Sequence, residues 1–113
     1  MDNLWTEIQQ KTRQLDTCIR ELRKSGTAYA EAERDYKIKL REECLRLKSE
    51  GMAIGLISMT AYGIPSVADL RFKRDMASTI YAANKDAVNA IKLEMRIIND
   101  QLMREYGRPL ADM

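Results

Sequence analysis

Histidine is absent from this chain, which has only two cysteines, two prolines, one tryptophan and one phenylalanine. Because histidine is the commonest general base and metal ligand, the usual starting point for acid–base or metal chemistry is missing. The sequence also has no phosphate-binding glycine-rich loop and no GxSxG nucleophile motif. We therefore expect a protein that is not an enzyme, with no catalytic residues, no metal site and no cofactor.

The two cysteines are too far apart for a CxxC redox or zinc motif. Cys18 and Cys44 are separated by 26 positions, and nothing near the N-terminus resembles a signal peptide. We expect a reducing, cytoplasmic location. Both cysteines are expected to pack as small apolar side chains along a helix seam, with a redox role as the alternative.

Charge of one sign is not in large excess, since 19 basic residues face 17 acidic ones. This balance argues against a strongly basic nucleic-acid binder and against an acidic mimic of DNA. Charge is missing altogether from Gly51 to Ala68. Three glycines and Pro65 interrupt that segment, so we expect no membrane span and no membrane partner.

Two charged arms with heptad patterns flank the uncharged segment. The pattern predicts one all-α domain over residues 1–113, with a first arm at about 4–49, a connector at 50–65, a second arm at about 66–106 and a tail at 107–113. Arms of similar length predict a long antiparallel helical hairpin. Ser25-Gly26-Thr27 predicts a kink or a brief interruption near residues 25–27.

The connector is expected to contain a short helix over about Met52 to Ala61. Gly63 is predicted to close this helix in a left-handed conformation. Ser66, directly after Pro65, is predicted to cap the start of the second arm. The connector would then form a helical turn between the two arms.

The second arm carries apolar residues on more flanks than one partner helix can bury. We therefore predict an obligate homo-oligomer, most simply a dimer that forms a four-helix bundle. Asn84 either fixes the register across that interface or lies at the edge of the apolar stripe. The predicted oligomer seam consists of Leu15, Leu22, Tyr29, Tyr36, Asn84, Ile91 and Ile98.

The connector is rich in apolar and methionine side chains that are not needed for a simple turn. A flexible apolar surface of this kind is typical of protein-binding sites. We expect an unidentified protein partner to bind the connector end. The predicted partner-binding residues are Met52, Ile54, Leu56, Ile57, Met59 and Tyr62.

A basic cluster begins the second arm, with Arg71, Lys73 and Arg74 around Phe72. Cations near a helix N-terminus oppose the helix dipole, so the cluster is unusual there. It is either ordinary surface charge, balanced by neighbouring aspartates, or a site for a nucleotide or nucleic acid. Phe72 stacks on a base in the second interpretation, although we expect it to pack beneath the connector.

The segment from Leu47 to Tyr106 resembles small proteins of phages and prophages of Gram-positive bacteria. The similar residues are Glu50-Gly51-Met52, Ala61-Tyr62-Gly63, the run from Val67 to Asp75, Tyr81-Ala82-Ala83, Lys92-Leu93-Glu94 and the run from Arg104 to Gly107. The resemblance implies a phage accessory protein in the host cytoplasm that acts by binding, in counter-defence, recombination or replication. It implies no particular chemistry.

Overall fold

The computed structural model describes residues 2–107, and these residues form three α-helices and one π-helical turn. Helix α1 spans Asp2–Ser49, α2 spans Ile54–Tyr62, α3 spans Pro65–Leu102 and the π-helical turn spans Met103–Gly107. No strand occurs between residues 2 and 107, so the prediction of an all-α fold is confirmed. The predicted tail beyond residue 107 lies outside the described residues.

Helix α1 continues without a break through Gly26, so the predicted interruption near residues 25–27 does not occur. The glycine instead allows a close side-chain approach. A Cβ atom at Gly26 would lie 3.1 Å from Cε1 of Tyr81. Glycine lowers the stability of a helix, but at this position it leaves room for the Tyr81 ring to pack against the backbone.

Helix α1 ends in a Schellman motif built around Gly51. The Gly51 amide donates to the Lys48 carbonyl at 3.1 Å, and the Met52 amide donates to the Leu47 carbonyl at 3.1 Å. Gly51 has a φ of 89°, which only glycine adopts without strain. The left-handed glycine is thus Gly51, and the prediction for Gly63 is wrong because Gly63 has a φ of −86°.

The boundaries of the next two helices also differ from those predicted. Helix α2 begins at Ile54, because Met52 and Ala53 are needed for the turn that leaves α1. Helix α3 begins at Pro65 rather than after Ser66. Proline at the first helical position has its φ already fixed and lacks an amide that would otherwise be unsatisfied. Ser66 is therefore a helical residue and not the cap.

The contacts divide the described chain into two compact units. The central unit comprises residues 24–81, and the terminal unit comprises residues 2–23 together with 82–107. In the central unit, Leu47, Ile57 and Ala61 form a buried cluster. Leu40, Cys44, Met52 and Ile64 pack against it, so Cys44 has the expected packing role. This cluster fixes α2 against the end of α1.

Further contacts in the central unit join α1 to α3. The rings of Tyr29 and Tyr81 lie 6.0 Å apart between centroids, and the Arg74 guanidinium lies 4.5 Å from the centre of the Tyr36 ring. The Arg74 contact is a cation–π interaction with a tyrosine that is almost fully buried. Higher numbers on α1 meet lower numbers on α3, which is the antiparallel order within this unit.

The terminal unit has its own contacts between α1 and α3. Lys11 forms an ion pair with Glu94, and the Asn84 side-chain amide donates to the Glu21 carbonyl at 3.2 Å. Its buried apolar side chains are Val88, Ile98 and Leu102.

Among the helices of residues 2–107, none is both long enough and apolar enough to cross a lipid bilayer.

Glu43 lies at the centre of an ion-pair group near the end of α1. Arg46 donates a hydrogen bond to Glu43 at 2.7 Å, and Lys39 lies 3.5 Å from the same carboxylate. The Arg46 hydrogen bond, aided by both positive charges, holds the pKa of Glu43 below its ordinary value. The ionised carboxylate is therefore favoured more in the folded chain than in the unfolded chain.

We expect the stabilisation from Glu43 to be present above the ordinary glutamate pKa of about 4.3 and to be lost as the pH falls through the lower folded value. Glu43→Gln should make the thermal midpoint less dependent on pH between about pH 5 and pH 3. Glu31→Gln, at an exposed position of the same helix, is the control. An unchanged pH dependence in Glu43→Gln would refute this role.

Candidate functional site

Four large apolar side chains of α2 face solvent. Ile54 is 80% exposed, Met59 75%, Leu56 56% and Tyr62 44%. We call these four residues the α2 surface. Helix α2 has only nine residues and no charged side chain, and Ile57 and Ala61 provide its buried residues. All its other side chains, most of them apolar, therefore remain available at the surface.

The structure divides the predicted partner-binding set. Ile57 belongs to the core, where it packs in the cluster with Leu47 and Ala61. Met52 is partly buried against the same cluster, as the residue that follows the glycine of a Schellman motif usually is. Ile57 is thus corrected from a partner-binding residue to a core residue. The α2 surface consists of the other four predicted residues, Ile54, Leu56, Met59 and Tyr62, and does not include Met52.

A groove lies beside the α2 surface, between the end of α2 and the start of α3. It has a volume of about 380 Å³ and is lined by Tyr62, Ala68, Arg71, Phe72 and Asp75. We call it the Arg71 groove. Phe72 is 66% exposed, so the expectation that it packs beneath the connector is wrong. Its exposure follows from α3 placing Val67, which is buried, and Arg74, which is partly buried, on a different side of the helix.

The predicted basic cluster does not form one patch. Arg74 turns inward, where it pairs with Asp75 at 2.8 Å and covers the Tyr36 ring. The hydrogen bond that Arg74 donates to Asp75 raises the pKa of Arg74 above its ordinary value. Arg71 and Lys73 are exposed, but residues two positions apart point about 200° apart around a helix. The three cations therefore lie in different environments and do not act together on one ligand.

Arg71 is the cation that faces the groove. Its guanidinium lies 5.7 Å from the centre of the Tyr62 ring, within the range of a cation–π interaction. Between residues 2 and 107, no carboxylate lies within ion-pair distance of Arg71. The groove therefore combines two aromatic walls with a positive charge that no acidic side chain of the described chain neutralises.

Several residues of the predicted oligomer seam have partners within the chain. Tyr29 contacts Tyr81, Tyr36 lies beneath Arg74, and Asn84 donates to the Glu21 carbonyl. Asn84 on α3 thus forms a hydrogen bond with α1 of its own chain. Its amide can fix the register between these two helices. Ile98 is buried in the single chain, and Leu15, Leu22 and Ile91 are partly buried. The seam residues that the heptad pattern identified are therefore already in contact or at least partly buried within a single chain.

A second groove lies along α1 in the central unit, beside the buried cluster of Leu47, Ile57 and Ala61. Ile38 and Leu45 occupy it one heptad apart, with exposed fractions of 52% and 59%. Its volume is about 600 Å³, and its lining residues are Lys37, Ile38, Leu40, Arg41, Cys44 and Leu45. We call it the α1 groove. None of the predicted seam residues lines it.

Possible metal ligands do not gather in the described part of the chain. Between residues 2 and 107, no group of three or more cysteine, aspartate or glutamate side chains is placed to hold a metal ion.

The α2 surface and the adjoining Arg71 groove together form the candidate site. Comparisons with protein-family models, curated proteins and solved structures give no match to this chain.

Proposed function

We propose that this chain is a protein-binding module that recognises its partner through the α2 surface. The supporting observation is the exposure of Ile54, Leu56, Met59 and Tyr62 on one short uncharged helix. Contiguous apolar surfaces on otherwise charged proteins commonly mark interaction sites. The buried cluster under α2 holds this surface in place, so partner binding needs little ordering of the helix.

Photo-crosslinking tests this proposal directly. Met59→p-benzoylphenylalanine places a crosslinker on the α2 surface, and Glu31→p-benzoylphenylalanine places it at an exposed position of α1. We expect the Met59 position to trap one protein species in the producing cell and the Glu31 position to trap none. The same pattern from both positions, or no product from Met59, would contradict the proposal.

The geometry favours a protein over a nucleic acid. Phosphate backbones are bound by several cations that act together. Here Arg74 is paired with Asp75, and Lys73 lies on another side of α3 from Arg71. The four exposed apolar side chains of the α2 surface offer a partner a larger contact area than the single unpaired Arg71 does. Roles in phage counter-defence, recombination or replication stay predictions from the resemblance.

We further propose that the chain associates with a second copy through the α1 groove. Ile38 and Leu45 are exposed and seven residues apart, the spacing at which side chains meet a neighbouring helix. A dimer formed in this way would bring together four long helical segments. This places the self-association surface on a different face from the predicted seam.

Ile38→Lys with Leu45→Lys should convert a dimer to a monomer, because two cations would be buried without partners. Light scattering of the purified chain gives the mass before and after the change. Leu93→Lys, at a residue of α3 that is 54% exposed, is the control and should keep the dimer mass. A monomeric unmodified chain, or a dimer that survives the double change, would refute this interface.

A further inference from the structure

The Arg71 groove has a composition that differs from the rest of the α2 end. Ile54, Leu56 and Met59 form an open apolar surface, whereas the groove is concave and has a volume of about 380 Å³. Tyr62 and Phe72 supply aromatic walls. Binding pockets for small molecules usually occupy about 300–1,000 Å³, so this groove is of a size for one or two side chains.

The charge of the groove is carried by Arg71. Asp75 also lines the groove, but it accepts hydrogen bonds from Nε and Nη2 of Arg74 at 3.1 and 2.8 Å. Its negative charge is therefore already compensated. Arg71 contacts the Tyr62 ring and has no acidic partner among residues 2–107. One positive charge is left facing apolar and aromatic walls.

We propose that the Arg71 groove receives a segment of the partner protein in which a bulky apolar side chain lies next to a carboxylate. The apolar side chain packs between Tyr62 and Phe72, and the carboxylate pairs with the Arg71 guanidinium. Guanidinium groups bind carboxylates through two parallel hydrogen bonds, which fixes orientation as well as charge. This inference rests on the proposed function, because it assigns the partner chemistry at the edge of the α2 surface.

The charge pattern around the groove favours an acidic protein segment over a nucleotide strand. A single unpaired guanidinium matches a single carboxylate. A phosphate backbone carries one charge per nucleotide and is bound by several cations, whereas Arg71 is the one cation that lines the groove. Lys73, the other residue of the predicted basic cluster that has no acidic partner among residues 2–107, points about 200° away around α3.

Selection from a random peptide library displayed on phage, with the full chain as bait, tests the inference. We expect enriched peptides to share a leucine or aromatic residue followed within one helical turn by Asp or Glu. Replacing that acid by Lys in a selected peptide should weaken binding about tenfold or more. With Arg71→Glu as bait, the preference should reverse and the Lys peptide should bind more tightly.

Two further variants separate the groove from general charge effects. Lys73→Glu makes the same change in net charge two residues away and should leave the preference for acid unchanged. Arg71→Lys keeps the charge but loses the planar fork, so it should keep the preference with weaker binding. Circular dichroism melting curves show whether each variant retains its helices.

Each other result counts against the inference. No enriched sequence, enriched peptides without acid, or acid preference that survives Arg71→Glu would overturn it. Binding of a fluorescent oligonucleotide that is lost in Arg71→Glu would assign the groove to nucleic acid instead. Peptides that lose binding in Ile54→Ser but not in Arg71→Glu would overturn this inference while supporting the proposed function.

Discussion

Replacing Leu47 by Ala lowers the free energy of unfolding by about 2–5 kcal/mol, the usual range for a buried leucine. Leu47 is 5% exposed and lies between α1 and α2 in the cluster with Ile57 and Ala61. The change removes apolar contacts and leaves a cavity under α2. Urea unfolding followed by circular dichroism measures the effect.

Leu45→Ala is the matched control, because it makes the same chemical change two residues earlier on α1. Leu45 is 59% exposed, so its loss should change the free energy of unfolding by no more than about 0.5 kcal/mol in the monomer. Both variants should be compared at protein concentrations at which the chain is monomeric. Equal destabilisation by the two changes would contradict the placement of Leu47 under α2.

Ile54→Ser combined with Met59→Ser should weaken binding of the partner identified by crosslinking by about 100-fold or more. Each of the two interface hot spots would contribute about 2 kcal/mol to the binding free energy. Both side chains are at least 75% exposed in the chain alone. Their replacement should therefore change the free energy of unfolding by no more than about 1 kcal/mol. Isothermal titration calorimetry with the purified partner measures the affinity.

The control for this double change is Leu93→Ser, which removes an exposed apolar side chain from the terminal unit. It should leave partner affinity unchanged. A loss of affinity in Leu93→Ser that matches the double variant would indicate that making any exposed apolar position polar lowers the affinity, whatever its place on the chain. Full affinity in the double variant would exclude the α2 surface as the binding site.

The helices were predictable from the sequence, because heptad spacing and the absence of strand patterns both favour an all-α chain. Their ends were less predictable. Gly51 and Gly63 both follow helical patterns, and the backbone hydrogen bonds and the φ of 89° at Gly51 show which glycine completes the Schellman motif. Gly26 has a breaking tendency that is overridden where Tyr81 packs against it.

The candidate site was predictable only in part. The lack of charge in the connector identified the segment, but Ile57 and Ile54 have similar side chains and only the tertiary contacts distinguish core from surface. Heptad periodicity showed that Tyr36 is buried without showing that Arg74 of the same chain covers it. Phe72 was expected to pack because it is apolar, yet it lies on a side of α3 that no described element covers.

Methionine methyl NMR can show whether a partner protein contacts α2. Met59 and Met103 are 75% and 61% exposed, so both signals report on the surface of the free chain. After addition of the partner identified by crosslinking, we expect the Met59 methyl signal to shift or broaden and the Met103 signal to stay unchanged. A shift at Met103 with an unchanged Met59 signal would show that the partner binds elsewhere on the chain.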